Sequence, residues 1–158
     1  MNIKIIDNFL DKEYFNLLNN QFLSNEFPWY FQKGKVFEND GDYQHTHLFF
    51  DNNKINSNYF NIIEPFLSKL NIKSLVRIKL NLTLKESVFK KFNLHTDVNF
   101  DCNTSIFYLN TNNGKTIFEY KYVDSVENRM VTFSSSLKHS GTSTTDASYR
   151  MVLNLNYF

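Results

Sequence analysis

Four histidines occur in these 158 residues, and two of them sit in a pattern that packing alone does not explain. His95-Thr96-Asp97 is followed at a distance by His139, with Arg150 further along the chain. Two imidazoles and one carboxylate make the facial triad that holds non-haem Fe(II) while leaving coordination positions open. On a strand, residues i and i+2 project from one face, so His95 and Asp97 can reach the same ion. His139 would bring the third donor from another strand. A guanidinium beyond the last ligand suits a cosubstrate that ends in a carboxylate, which its planar fork grips with two hydrogen bonds. Ser143-Thr144-Thr145-Asp146 suits a turn, and a hairpin about it would set positions 139 and 150 opposite each other, roughly 5 Å apart at Cβ. A lone His-x-Asp usually marks a solvated strand edge. The distant histidine and the arginine, inside an expected antiparallel sheet, are what tip the balance toward metal.

The rest of the chain must position those groups. Ile3-Lys4-Ile5-Ile6 reads as a short strand. Asp11 has the character of an N-cap, and Tyr14, Phe15, Leu18 and Phe22 recur at helical spacing. A second helix is expected over residues 59–70, with Tyr59, Ile63, Phe66, Leu67 and Leu70 as its buried face and Pro65 kinking it or delaying its start. Residues 36–50 read as a hairpin turning near Asn39-Asp40-Gly41-Asp42. From Leu75 the texture changes. Val76, Ile78, Leu80, Leu82 and Leu84 alternate with Arg77, Lys79, Asn81 and Thr83, the period-2 signature of a strand. Further short strands are expected around 94–97, 105–109, 116–122, 129–133 and 151–157, with Thr111-Asn112-Asn113-Gly114 as a turn. The expected fold is mainly β (α+β): a jelly roll or cupin-like barrel flanked by two N-terminal helices. Residues 1–158 read as one domain, with 1–74 supporting a core at 75–158 that carries the site.

Composition excludes other classes. Net charge is +1, so no global field draws the chain to nucleic acid. No run approaches the roughly 18 apolar residues that span a bilayer, and the N-terminus lacks the apolar region of a signal peptide. With a single cysteine, Cys102, no internal disulfide framework is available, which favours a reducing, cytoplasmic setting. Abundant Asn, Lys, Ile, Phe and Tyr match translation of an AT-rich genome.

The stretch from His95 to Phe158 resembles the Fe(II)- and 2-oxoglutarate-dependent oxygenases, in particular the prolyl-hydroxylase-like branch and its small phage-encoded forms. The resemblance runs through His95-Thr96-Asp97, Tyr108-Leu109-Asn110, Gly114-Lys115-Thr116-Ile117-Phe118 and Asn128-Arg129-Met130-Val131-Thr132-Phe133. It continues through His139-Ser140-Gly141 and Arg150-Met151-Val152-Leu153-Asn154 to Tyr157-Phe158. Gly114-Lys115 departs from the Gly-Gly common in relatives. The resemblance implies a double-stranded β-helix with Fe(II) on His95, Asp97 and His139 and the far carboxylate of 2-oxoglutarate on Arg150. It also implies that Tyr108 donates to that carboxylate, and it admits Asn81 and Asn154 as pocket residues. The implied activity is O2-dependent hydroxylation of a peptidyl or free amino acid, with release of succinate and CO2.

Other readings stay open at this point. A cupin-like metal protein acting as a sensor or scaffold would have no need of Arg150. A divalent-metal hydrolase on the same barrel would not bind 2-oxoglutarate. A nucleic-acid base oxygenase is disfavoured by the charge but not excluded. His45 and His47 share a strand face and read as a sheet pair or a substrate-contacting edge. Lys85, Lys90 and Lys91 read as a solvated loop at the barrel mouth. Ser134-Ser135-Ser136 lacks a base partner of the triad type.

Overall fold

The computed structural model describes residues 2–35 and 40–158. The strands are β1 (Lys4–Ile6), β2 (Tyr30–Lys33), β3 (Tyr43–Asp51), β4 (Lys54–Ile55), β5 (Leu75–Leu84), β6 (Asn103–Tyr108), β7 (Lys115–Phe118), β8 (Tyr122–Asp124), β9 (Arg129–Ser134), β10 (His139–Gly141) and β11 (Tyr149–Tyr157). The large sheet runs β1-β9-β6-β11-β5-β3-β2, with β4 added on β3, and a smaller sheet runs β10-β7-β8. All pairings are antiparallel. This mainly β arrangement of two antiparallel sheets fits a double-stranded β-helix.

Two faces of the large sheet do different work. Ile78, Leu80, Met151, Leu153, Leu155 and Phe107 form its apolar side, which buries Leu18 and Phe22 of α1 (Lys12–Phe22) in one core. Aromatic rings knit this layer, with Phe66 against Phe107 at 5.1 Å and Phe22 against Phe49 at 5.9 Å between centroids. The opposite side carries Arg77, Lys79, Asn81 and Thr83 from β5 beside Arg150, Val152 and Asn154 from β11. It looks across a cavity toward the small sheet. The alternation in β5 therefore separates a core from a polar cavity and not a core from solvent.

Asp11 caps α1 as expected, its carboxylate accepting from the Tyr14 N–H at 2.9 Å. The second flanking helix is much shorter than residues 59–70. A 3-10 turn over Phe60–Ile63 leads into α2 (Glu64–Leu67), a single turn with Pro65 in its first turn. Proline has no N–H to donate and cannot sit deeper in a helix, so it fixes the start at Glu64 and leaves room for one turn. β2 pairs with β3, and residues 36–39 of the expected hairpin, Asn39 of its turn included, lie outside the described residues. A turn the sequence reading passed over, Asn52-Asn53, joins β3 to β4 with both residues at positive φ, as a type I′ connection requires.

His139 and Arg150 are not hairpin partners. His139 pairs with Phe118 in the small sheet, whereas Arg150 pairs with Thr83 in the large one. The chain between them crosses from one sheet to the other, so the two side chains meet across the cavity. Among the described residues, no helix is long and apolar enough to cross a membrane.

Candidate metal and cosubstrate site

His95 lies on the loop after β5 and is tied to β10 by a two-way backbone bridge with His139, both N–H···O distances being 2.9 Å. That bridge fixes the two imidazoles side by side, with ring centroids 4.9 Å apart. Each ring places Nδ1 near a backbone carbonyl, His95 on Asn93 at 3.0 Å and His139 on Leu137 at 3.3 Å. A ring that donates Nδ1–H to a carbonyl keeps its Nε2 lone pair for a metal. Both Nε2 atoms face Asp97, at 3.7 Å from Oδ1 for His95 and 3.9 Å from Oδ2 for His139. One donor atom from each of the three residues falls within 4.8 Å of the others. That spread is close to what a single ion can bridge with bonds of roughly 2.0–2.2 Å.

Asp97 is itself held. Arg77 Nη2 lies 3.2 Å from Oδ1, and the Asn156 amide donates to Oδ2 at 3.3 Å. Burial alone would push its carboxyl up. The His95 contact and the charges of His139 and Arg77 outweigh burial and hold it well below the usual carboxylate range. Burial pulls His95 down, but Asp97 and the Asn93 carbonyl leave it above its ordinary value. Burial outweighs the attraction of Asp97 and keeps His139 below its own ordinary value. Arg77 and Asn156 escaped the sequence reading. Their signal was in the alternation, since Arg77 shares a strand face with Lys79 and Asn81, and Asn156 shares one with Arg150 and Asn154.

Arg150 is buried at the far end of the same cavity. Its Nε donates to Ser125 Oγ at 3.0 Å and its Nη2 to Thr116 Oγ1 at 3.3 Å, both neutral oxygens. Among the described residues no carboxylate pairs with it. Burial lowers its pKa, yet a guanidinium stays charged throughout the accessible pH range. Tyr108 is fully buried beneath it, the guanidinium carbon lying 5.6 Å from the ring centre. Tyr108 differs from the expectation in one respect: its hydroxyl donates to Thr116 Oγ1 at 2.6 Å, so it stands behind the cavity wall. Thr116, which accepts from both Tyr108 and Arg150, is a hydroxyl that lines the cavity at this end, and the sequence analysis did not assign it a role.

The cavity holds about 270 Å³, just below the roughly 300–1,000 Å³ typical of ligand sites. Asn81 and Asn154 line it, and the side-chain oxygen of each is buried without a hydrogen-bond partner. Buried polar atoms are almost always satisfied, so these two face a place where a ligand or water belongs. Lys35 and Lys79 also line it. His45 and His47 lie elsewhere. His47 is locked between the Pro28 carbonyl (Nδ1, 2.7 Å) and Ser57 Oγ (Nε2, 2.7 Å) and packs on Phe27, which makes it a buried latch between β3 and the following loop. Lys90 pairs with Glu86 at 3.6 Å in an exposed loop.

The residues fit the group they would hold. Three convergent donors with Nε2 atoms freed by Nδ1 contacts suit a divalent ion, and a buried cation lacking a counter-ion among the described residues suits a carboxylate.

No protein-family profile matches the chain, and no curated protein matches it. Solved structures do. A viral collagen prolyl hydroxylase from Paramecium Bursaria Chlorella virus-1, in its 2OG complex, superposes with TM-score 0.61 at 15% identity, covering 98% of this chain and 94% of its own. An oxidoreductase of the 2OG-Fe(II) oxygenase family from Burkholderia pseudomallei gives TM-score 0.66 at 12% identity over 98% and 84%. A prolyl hydroxylase from Trichoplax adhaerens, bound to a peptide of hypoxia inducible factor, gives 0.62 at 17% identity over 99% and 83%. The chain has the fold that these oxygenases share, along nearly its whole length.

Proposed function

We propose that this chain is an Fe(II)- and 2-oxoglutarate-dependent dioxygenase that hydroxylates a peptidyl or free amino acid, releasing succinate and CO2. The observation that carries the reading is Arg150, a buried guanidinium without a counter-ion among the described residues, in the same cavity as a His-Asp-His triad. A metal-binding sensor or a hydrolase on this barrel has no use for that charge. The fold shared with oxygenases and prolyl hydroxylases supports it.

In this reading His95, Asp97 and His139 hold the metal, and Fe(II) with 2-oxoglutarate and O2 supplies oxidation of an unactivated C–H bond. Arg150 takes the far carboxylate of the keto acid as a bidentate pair. Thr116 already accepts two hydrogen bonds, so its own hydrogen is free to donate to that carboxylate, and Tyr108 orients it from behind. Asn81 and Asn154 meet the body of the cosubstrate from the floor. Arg77 and Asn156 keep Asp97 ionised and aimed. Ile106, Val152 and Phe92 are the apolar part of the wall and limit water. We also read residues 1–158 as one domain, a reading supported by β1, β2 and β3 completing the large sheet from the first third of the chain. A reducing, cytoplasmic setting suits the free Cys102 and a ferrous centre.

Anaerobic titration of the Fe(II) protein with 2-oxoglutarate tests this. A visible charge-transfer band should appear and be absent in His95→Ala and Asp97→Ala, while Arg150→Ala mainly raises the keto acid concentration needed. Full turnover to succinate in His139→Ala would contradict the ligand assignment.

A further inference from the structure

Among the described residues, four cationic side chains line the cavity (Lys35, Arg77, Lys79 and Arg150) and one carboxylate, Asp97. Arg77 is already committed to Asp97. In the reading above, which this inference rests on, a divalent metal and a dianionic keto acid enter together. Their charges cancel, so the surplus in the lining survives loading. Arg150 is then used by the keto acid. Lys35 and Lys79 are left, and among the described residues neither forms an ion pair.

Both lysines are partly withdrawn from water, and for each the cost of burial outweighs the attraction of the carboxylates around it. Lys35 Nζ is buried with no hydrogen-bond partner among the described residues and rests 3.5 Å above the Phe92 ring, a partial compensation. Burial brings its ammonium down to about 8, with Asp42 and Glu86 too weakly placed to offset it and with Lys90 and Arg150 adding to the fall. Lys79 stands directly opposite Asn154 in the β5–β11 pairing, one alternation step from Arg77, and burial lowers it too. A lysine with only a structural task would reach solvent along its flexible stem. Two that line the cavity and are lowered by burial carry a cost that an incoming anion would relieve.

We propose that Lys35 and Lys79 form an anion-recognition element for the primary substrate, which is therefore a small molecule carrying a carboxylate or phosphate. An uncharged residue in the interior of a peptide does not fit this element. It would leave both ammonium groups desolvated and unpaired beside it, which costs affinity. Among amino-acid substrates, the free form with its own carboxylate fits the lining and the peptidyl form does not.

The test uses the full chain loaded with Mn(II) and 2-oxoglutarate, and reads thermal stabilisation by acetate, by inorganic phosphate and by neutral acetamide at constant ionic strength. Saturable stabilisation by acetate or phosphate, but not acetamide, is expected, and the tighter of the two anions assigns the source. Lys35→Gln and Lys79→Gln should each weaken the anion by about tenfold or more, and Lys79→Arg should restore it. Affinity for 2-oxoglutarate is measured in parallel and should be unchanged in both glutamine variants. Failure of the parent protein to bind the keto acid counts against the dioxygenase reading. With keto acid bound, absence of anion binding, or equal binding by the variants, overturns this inference alone. So does a loss of keto acid affinity in the lysine variants, which would assign those ammonium groups to the cosubstrate.

Discussion

Gly114 gives a quantitative test of how tightly the arginine end of the cavity is built. A Cβ placed on it would stand 2.6 Å from Asn112 Oδ1, 2.7 Å from Arg150 Cδ and 3.1 Å from Arg150 Nε. Its backbone is not in the left-handed region, so the cost of Gly114→Ala is steric. Neither neighbour yields easily. Asn112 Oδ1 accepts from the Gly114 N–H at 2.9 Å while its amide donates to the Asn110 carbonyl at 3.1 Å. Arg150 is pinned by Ser125 and Thr116. Overpacking of this kind costs about 1–3 kcal/mol, which for a chain of this size lowers Tm by roughly 2–12 °C. The displaced guanidinium should also weaken 2-oxoglutarate by about tenfold, equivalent to 1.4 kcal/mol. Gly41→Ala is the control: its φ of +84° makes any side chain strained, but nothing lies within 4 Å of the new methyl. It should lose roughly 1–2 kcal/mol of stability and leave keto acid binding alone. Urea unfolding and anaerobic keto acid titration of both variants measure this. Parent-like stability and affinity in Gly114→Ala would refute the reasoning.

The other predictions concern the triad and its supports. Arg77→Gln removes the cation that aims Asp97, and metal affinity by calorimetric titration should fall roughly 10–100-fold with the fold intact. In metal-free protein Asp97 has a carboxyl held below its ordinary 3.8, so its stabilisation is present above that value and is lost as pH falls through the folded-state value. Urea stability of the parent should therefore drop more steeply than that of Asp97→Asn below about pH 4, and parallel curves would contradict the assignment. His47→Ala deletes a ring held by two buried hydrogen bonds and packed on Phe27, and should cost roughly 2–4 kcal/mol in urea unfolding without altering metal affinity.

Legibility of the sequence followed the range of the forces involved. The triad could be read because His-x-Asp keeps two donors close enough for one ion, although the strand expected at 94–97 is a loop with a single bridge at His95. Asp11 and the period of Phe15, Leu18 and Phe22 are equally local, and α1 begins and ends within a residue of where they place it. What escaped depends on long-range pairing. Whether the polar face of β5 meets water or a cavity is decided by the small sheet lying over it, so the alternation alone left Lys79 and Asn81 open between solvent and pocket and gave Arg77 no role. Arg150 and His139 looked like hairpin neighbours because a polar turn lies between them; only the sheet order shows that they face each other across a gap. Thr116 gave no signal at all, since its task is set by Tyr108 and Arg150 converging from two other strands. Pro65 was visible as a breaker, but not how little helix would survive it.

The central claim is that three donors and one guanidinium, drawn from separate segments, converge on a single metal and its keto acid. A crystal structure of the protein grown anaerobically with Fe(II) and 2-oxoglutarate tests it most directly. Density for one ion bound to His95 Nε2, Asp97 and His139 Nε2, with the distal carboxylate of the keto acid on Arg150, is the expected result. An ion bound elsewhere, or a keto acid whose carboxylates both avoid Arg150, would contradict the account.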